Sequence, residues 1–304
     1  MLMWMMLELN TLTFIPLMQS TKSTTSVETS IKYLIPQTFA SGLLMTSIIL
    51  ANTAMHSNML ATTALLLKLG SVPFHGWFPA VMQSINLTPG FTLMTWQKVA
   101  PLLLLTTPEL CHPYTLMFSA TLSALWGSIA GLNQTNLLSL MTFSSIAHLS
   151  WLLMGSLFNP LISLMYLILY SLTILPIFIS MRSPLSTTHR TAMATTTYKQ
   201  PDAALILWLL SLASLPPFAM FSAKLPIITL TTKLTVLPLI FLLLSTSISL
   251  YFYLSLSITF MFSFLSQSKL TIKPNDNKKP WEMTLMLLQL STLPLNLVVL
   301  PMMQ

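Results

Sequence analysis

Residues 65–101 read LLLKLGSVPFHGWFPAVMQSINLTPGFTLMTWQKVAP. Two lysines, Lys68 and Lys98, stand in runs that are otherwise apolar enough to lie inside a membrane. A protonated lysine at the centre of a bilayer helix costs roughly 2.5–3.5 kcal/mol on insertion scales, so such a residue faces a bundle interior or a water-filled path. Two of them in one stretch point to a polar route through an apolar bundle.

The remaining sequence supports that setting. Charged residues make up 6% of the 304 and hydrophobic ones 54%, a composition that no soluble domain of this size keeps in solution. A membrane helix needs ~20 apolar residues to cross ~30 Å of hydrocarbon. The apolar blocks have that length, whereas a β-barrel shows alternating ~10-residue strands, so the fold class is an all-α polytopic membrane protein. The net charge of +7 raises nucleic acid as a partner, but basic patches interleaved with aromatics are absent. Cys111 is the sole cysteine, which excludes a disulfide framework and a Cys-based metal site. The start, MLMWMMLELN, lacks the basic region and cleavage site of a signal peptide and the Arg- and Ser-rich character of a transit peptide.

The hydropathy pattern predicts ten membrane segments, at about 1–19, 31–54, 59–84, 88–107, 113–132, 138–158, 160–181, 201–232, 235–262 and 282–303. The third and eighth are too long for plain spans. Each carries proline in mid-course, Pro73 with Gly70 before it and the pair Pro216-Pro217, so each reads as a broken helix. With ten spans, Lys22, Arg182, Arg190, Lys199, Lys269, Lys273, Lys278 and Lys279 all fall on one side. By the positive-inside rule that side is the compartment of synthesis, and both termini lie opposite. The breaks at 59–84 and 201–232, each beside a lysine, also read as corresponding positions of two inverted repeats, about 31–181 and 182–303, within a single membrane domain.

Four ionisable residues fall inside the spans: Glu8, Lys68, Lys98 and Lys224. Desolvation moves buried lysines and glutamates toward their neutral forms, where a small electrostatic change transfers a proton. They are therefore candidate relay stations. The alternatives are a snorkelling or structural lysine at each position and, for Glu8, an acidic residue near a frayed end. His75, after the Pro73 break, and His148, in the hydroxyl-rich SSIAHLSW, are candidate bridges, since neutral imidazole both accepts and donates; a satisfied structural histidine is the alternative. No HExxH motif, paired histidines or glycine-rich phosphate loop occurs. The aromatic and methionine content reads as packing and lipid contact.

The segments MMLELNTLTFIPLM (5–18), SVETSIKYLIPQTFAS (26–41), LLKLGSVPFHGWFP (66–79), TWQKVAP (95–101), GLNQTNLLSLMTFSSIAHLSW (131–151) and SLPPFAMFSAKLP (214–226) resemble, in order, the mitochondrially encoded NADH dehydrogenase subunit 2 family, antiporter-like membrane subunits of respiratory complex I. The resemblance implies that Glu8 and Lys68 form an ion pair tuning Lys68, that Lys98 links two half-channels, that His148 is the central histidine, and that Lys224 ends the line. It further implies no cofactor in this chain, with FMN, iron–sulfur clusters and ubiquinone held by other subunits. The implied partners are neighbouring antiporter-like and small core membrane subunits, accessory subunits, and lipids such as cardiolipin, and the implied location is the mitochondrial inner membrane with its basic loops in the matrix. Against the family pattern the chain begins where the second helix normally starts, leaving the first repeat one helix short. It also has Leu138-Ser139 in place of Arg-Lys, Ala80 in place of glutamate, and Ser255 in place of a basic residue.

Three functions follow as expectations: a proton-translocating subunit, a sodium/proton antiporter-complex subunit, and a structural membrane subunit that does not pump. The sodium reading asks for an acidic cluster inside the spans, where Glu8 stands alone. A purely structural subunit would gain by exchanging buried lysines for apolar residues.

Overall fold

A computed structural model describes residues 2–21, 23–51, 57–180 and 203–268. The described residues form twelve α-helices and no strand: α1 (Leu2–Met18), α2 (Thr24–Leu50), α3 (Ser57–Leu69), α4 (Trp77–Met82), α5 (Leu87–Met94), α6 (Trp96–Leu105), α7 (Pro113–Leu132), α8 (Leu137–Phe158), α9 (Pro160–Ser180), α10 (Ala203–Leu212), α11 (Ala219–Leu234) and α12 (Val236–Ser268). The expected span at 282–303 and the basic residues Lys22, Arg182, Arg190, Lys199, Lys269, Lys273, Lys278 and Lys279 lie outside the described residues. Among the described residues five segments are long and apolar enough to cross a membrane: Thr24–Leu50, Pro113–Leu132, Leu137–Phe158, Pro160–Ser180 and Val236–Phe262.

Helices α2 and α7 bury mainly small and hydroxyl side chains and turn large apolar ones outward. On α2 the buried stripe is Ser26, Thr29, Ser30, Tyr33, Gln37, Ala40, Ser41, Leu44 and Ser47, while Ile31, Ile35, Phe39 and Ile49 face out. On α7 the buried stripe is Leu116, Ser119, Ala120, Ser123, Ala124, Gly127, Ser128 and Gly131, with Phe118, Trp126 and Ile129 outside. The i, i+3, i+4 spacing makes each stripe one helix face. Hydrocarbon gives no advantage to burying leucine, so small and hydroxyl residues take the helix interfaces, where backbones approach closely. At Gly127 a Cβ would stand 2.7 Å from the Ala147 nitrogen and 2.8 Å from the Phe143 carbonyl oxygen of α8. Gly127→Ala must push two backbones apart, and we expect a loss of about 1–3 kcal/mol, read as a lower thermal midpoint of the assembled protein.

Helix α8 is buried nearly all round and contacts α4, α6, α7, α9, α11 and α12, which makes it the centre of the bundle.

Two elements differ from the hydropathy reading. Helix α2 starts at Thr24 rather than near 31, because Ser23 Oγ accepts from the Ser26 N–H at 3.2 Å while Ser26 Oγ accepts from the Ser23 N–H at 3.1 Å. This capping box starts the helix in a polar stretch that hydropathy passes over. The segment read as 88–107 is two helices meeting at Thr95, whose N–H and Oγ1 both donate to the Phe91 carbonyl, at 3.1 and 2.9 Å. A hydroxyl bonded back four residues bends a helix. The segment read as 59–84 is non-helical between Leu69 and Trp77, and 201–232 is non-helical between Leu212 and Ala219. The first interruption opens on Gly70 (φ +72°) and contains a cis Val72–Pro73 bond; the second contains Ser214 (φ 57°), left-handed without being glycine.

Candidate functional site

The interruption after α3 sets the first station. A helix ending inside a membrane leaves carbonyls that must be satisfied. Here the Leu66 carbonyl accepts from Ser71 N–H and Oγ, both at 3.1 Å, the Leu67 carbonyl from Gly70 N–H at 3.2 Å and Trp77 Nε1 at 3.1 Å, and the Lys68 carbonyl from Gln37 Nε2 at 3.1 Å. Gly70 is required twice over: its φ is left-handed, and a Cβ there would meet Phe78 Cβ at 3.2 Å and Trp77 at 3.3 Å. Lys68 lies in this last turn, where the negative end of the α3 dipole favours a cation.

Lys68, Lys98, Lys224 and His148 are 5, 3, 5 and 6% exposed, so all four lie in the protein interior. Lys68 Nζ and Glu8 Oε1 are buried without a hydrogen-bond partner. The direct Glu8–Lys68 ion pair that the resemblance implies is not formed. The ion pair within 4 Å among the described residues is Lys32–Glu28 on α2, at 2.7 Å. Glu8 instead acts on Lys68 through space, and its Oε2 receives a long 3.5 Å contact from Thr11 Oγ1.

A cavity joins Lys68 to Lys98. Asn10, Tyr33, Gln37 and Gln97 line it together with both lysines, and its volume is about 20 Å³. That is room for about one water. Asn10 and Gln97, 87 positions apart in the chain, form a reciprocal amide pair at its wall: Asn10 Nδ2 donates to Gln97 Oε1 at 2.8 Å and Gln97 Nε2 to Asn10 Oδ1 at 3.3 Å. The pair ties α1, which carries Glu8, to α6, which carries Lys98.

Lys98 is held by neutral groups. Its Nζ donates to the Ser145 carbonyl of α8 at 3.3 Å and lies 5.6 Å from the Phe78 ring centroid and 5.4 Å from that of Tyr170. Cation–π contact favours an ammonium without fixing it as a carboxylate would. One turn along α8, His148 Nδ1 and Tyr166 Oη are 2.8 Å apart. Beyond it, Lys224 Nζ donates to Ser214 Oγ and lies 5.4 Å from the Trp151 ring.

Lys68, Lys98, His148 and Lys224 thus lie in the interior with the half-buried Glu8 on α1 beside the first of them, and Gly70 shapes the turn behind Lys68. Pro73, Pro216 and Pro217 lie in the two non-helical stretches. His75 stands apart: its ring packs edge-on against Trp126 at 5.6 Å, and among the described residues no hydrogen bond or ring contact joins it to the lysines. The sequence reading missed Trp151, Phe78 and the buried tyrosines, which looked like packing, and the Asn10–Gln97 pair, which no local pattern announces. Among the described residues no three His, Cys, Asp or Glu side chains gather as a metal site requires.

A polytopic helical bundle with buried lysines in series around a central histidine has the build of an ion-translocating membrane subunit. The chain belongs to the NADH:quinone oxidoreductase/Mrp antiporter transmembrane family, whose model matches residues 49–249. It is 37% identical to NADH-ubiquinone oxidoreductase chain 2 of Anopheles gambiae over 264 residues, 79% of this chain and 76% of that one. It is 40% identical to the chain 2 of Struthio camelus over 259 residues, 80% of this chain and 74% of that one. In fold it is similar to a chain of respiratory complex I from Thermus thermophilus with bound aureothin, with a TM-score of 0.79 at 22% identity, covering 98% of this chain and 74% of that chain.

Proposed function

We propose that this chain is a proton-translocating core membrane subunit of NADH:ubiquinone oxidoreductase, moving protons across the mitochondrial inner membrane while electrons pass from NADH to ubiquinone in other subunits. The observation that carries the reading is the series of three buried lysines, none in an ion pair with a carboxylate among the described residues, set on either side of a water-sized cavity and a buried histidine. Its family membership and its chain 2 relatives support the assignment.

In this reading a change of charge in a neighbouring subunit reaches Glu8 and alters its pull on Lys68. Lys68, held by a dipole and a distant carboxylate rather than by a hydrogen bond, releases its proton into the cavity. A water there carries it past the Asn10–Gln97 pair to Lys98, and His148 passes it toward Lys224. Flavin, iron–sulfur clusters and quinone belong to other subunits, and this chain supplies proton-holding side chains and the bundle that excludes bulk water from them. The interruptions at 70–76 and 213–218 are the breaks of two broken membrane helices in inverted repeats, each opening near a left-handed residue and each beside a lysine. The basic loops face the matrix. The partners are the adjoining membrane-arm subunits and lipid, which cover the apolar outer faces of α2, α7 and α12.

The test is Lys224→Met in membranes carrying the assembled complex, with proton uptake per electron measured beside NADH oxidation by an artificial acceptor. The acceptor rate is expected to hold while coupled proton movement falls about fivefold or more, since a positioned proton donor is worth about 10²–10⁴-fold in rate. Unchanged proton movement would return the chain to the scaffold reading. A signal that requires added sodium would favour the sodium/proton one.

A further inference from the structure

Helix α1 is fastened to the bundle by its own packing: Leu7, Phe14 and Met18 are buried, and Trp4 Nε1 donates to the Ser41 carbonyl of α2 at 3.3 Å. It nonetheless sets a primary amide, Asn10, against a second one, Gln97 of α6. Apolar side chains would join two helices here as well, and a hydrogen bond between membrane helices adds little to stability. An amide has two donor hydrogens and an oxygen with two lone pairs, and a reciprocal pair uses one donor and one acceptor of each. Part of the remainder goes to a long 3.5 Å contact from Tyr33 Oη to Gln97 Oε1. The rest is open to the cavity that both side chains line. Lys68 lines it too, at 5% exposure and with no hydrogen-bond partner for its Nζ. Gln37, also on the wall, is oriented by the bond from its Nε2 to the Lys68 carbonyl at 3.1 Å. A polar cavity of this size holds a water when about two to four polar groups meet it, and here a free ammonium stands with amide donors and acceptors. The two amides also act together. Turning one over would set oxygen against oxygen and nitrogen against nitrogen, so each fixes the orientation of the other.

We propose that the Asn10–Gln97 pair is the clasp that fixes one bound water in the cavity between Lys68 and Lys98, which makes both amides positioning residues of the proton path. The inference rests on the proton-translocating reading above. The amides gain and lose no proton; they set the place of the water, while the Ser145 carbonyl of α8 holds the Lys98 ammonium. Asn10 lies two residues after Glu8, and Gln97 directly precedes Lys98. The clasp therefore joins the helix of the carboxylate to the helix of the second lysine at the wall of the water site. When either amide is replaced by an apolar side chain of similar size, the other loses its partner and the water loses its fixed site.

The experiment compares Asn10→Leu, Gln97→Met, the two combined, and Lys98→Met in membranes carrying the assembled complex. Proton uptake per electron and the solvent deuterium effect on coupled quinone reduction are the readouts, with NADH oxidation by an artificial acceptor as the assembly control. Each single amide variant is expected to keep acceptor activity and to lose about tenfold in proton uptake, as misplacement of a transferring group does. The deuterium effect is expected to rise, because transfer through an unfixed water becomes the slow step; a mere tether between helices would leave it unchanged. The combined variant is expected to lose no more than either single one, since the pair is one unit. Normal uptake by both amide variants beside a failed Lys98→Met overturns the clasp and leaves the path standing. Normal uptake by Lys98→Met as well overturns the path, and the clasp with it. Losses that add in the combined variant, or a loss with an unchanged deuterium effect, overturn the clasp. Should one amide variant not assemble, the other decides: lowered uptake with a raised deuterium effect supports the clasp, and normal uptake overturns it.

Discussion

Lys98→Met is expected to abolish most coupled proton movement, a fall of about tenfold or more in proton uptake per electron, while NADH oxidation by an artificial acceptor continues at the normal rate. Lys98 lines the cavity on the side of His148, and its ammonium touches a backbone carbonyl and two aromatic rings. Methionine reaches a similar length and lies well against Phe78 and Tyr170. Among the described residues no carboxylate pairs with Lys98, so exchanging the ammonium for an apolar group is expected to be neutral or stabilising, as for other buried ions. The two readouts therefore move apart: thermal midpoint level or higher, proton movement lost. Equal pumping in wild type and variant would remove Lys98 from the path, and a lower midpoint would show that the aromatic box depends on the charge. Lys98→Arg separates charge from proton release, because guanidinium does not give up its proton. It should fail as the methionine variant does.

Lys68→Met is expected to have an effect of similar size at the entrance of the line. Its Nζ has no hydrogen bond to lose, and Glu8 is coupled to it only through space. Coupling of this kind between sites is typically worth about 1–3 kcal/mol, or about 5–150-fold in an equilibrium. Removing Lys68 is accordingly expected to silence both the charge signal from Glu8 and the proton it governs. Glu8→Gln should reduce pumping less than Lys68→Met, and the double variant should behave like Lys68→Met alone. Additive losses in proton uptake would mean that the two residues act on separate routes.

The charged skeleton of the site was legible because a lysine in an apolar run has few explanations. Lys68, Lys98 and Lys224 are all found in the interior, and the polarity contrast that marked them is the reason they are there. Gly70 and Pro73 were legible for a similar reason, since few residues break a helix so openly. What surrounds the charges was not. Asn10 and Gln97 meet across 87 positions, and no local period encodes such a pair. Thr95 bends its helix through one hydroxyl bonded backward, a choice that threonine makes in some helices and not in others. Tyr170 looks like any aromatic in a membrane helix until the fold sets its ring 5.1 Å from that of His148. The early start of α2 was hidden because hydropathy cannot see a capping box.

The two interruptions are fastened differently, and that sets where the bundle can flex. At the first, Ser71, Trp77 and Gln37 hold the freed carbonyls of α3, so the joint is braced from three sides and the charge on Lys68 has no part in its bracing. At the second, the side chain bonded to the left-handed residue Ser214 is Lys224 itself. A change in the charge of Lys224 therefore alters the bond that steadies its own joint. The first joint is thus braced by neutral side chains and the second by the lysine beside it, so the same substitution of a lysine disturbs the backbone at one end of the line and leaves it held at the other.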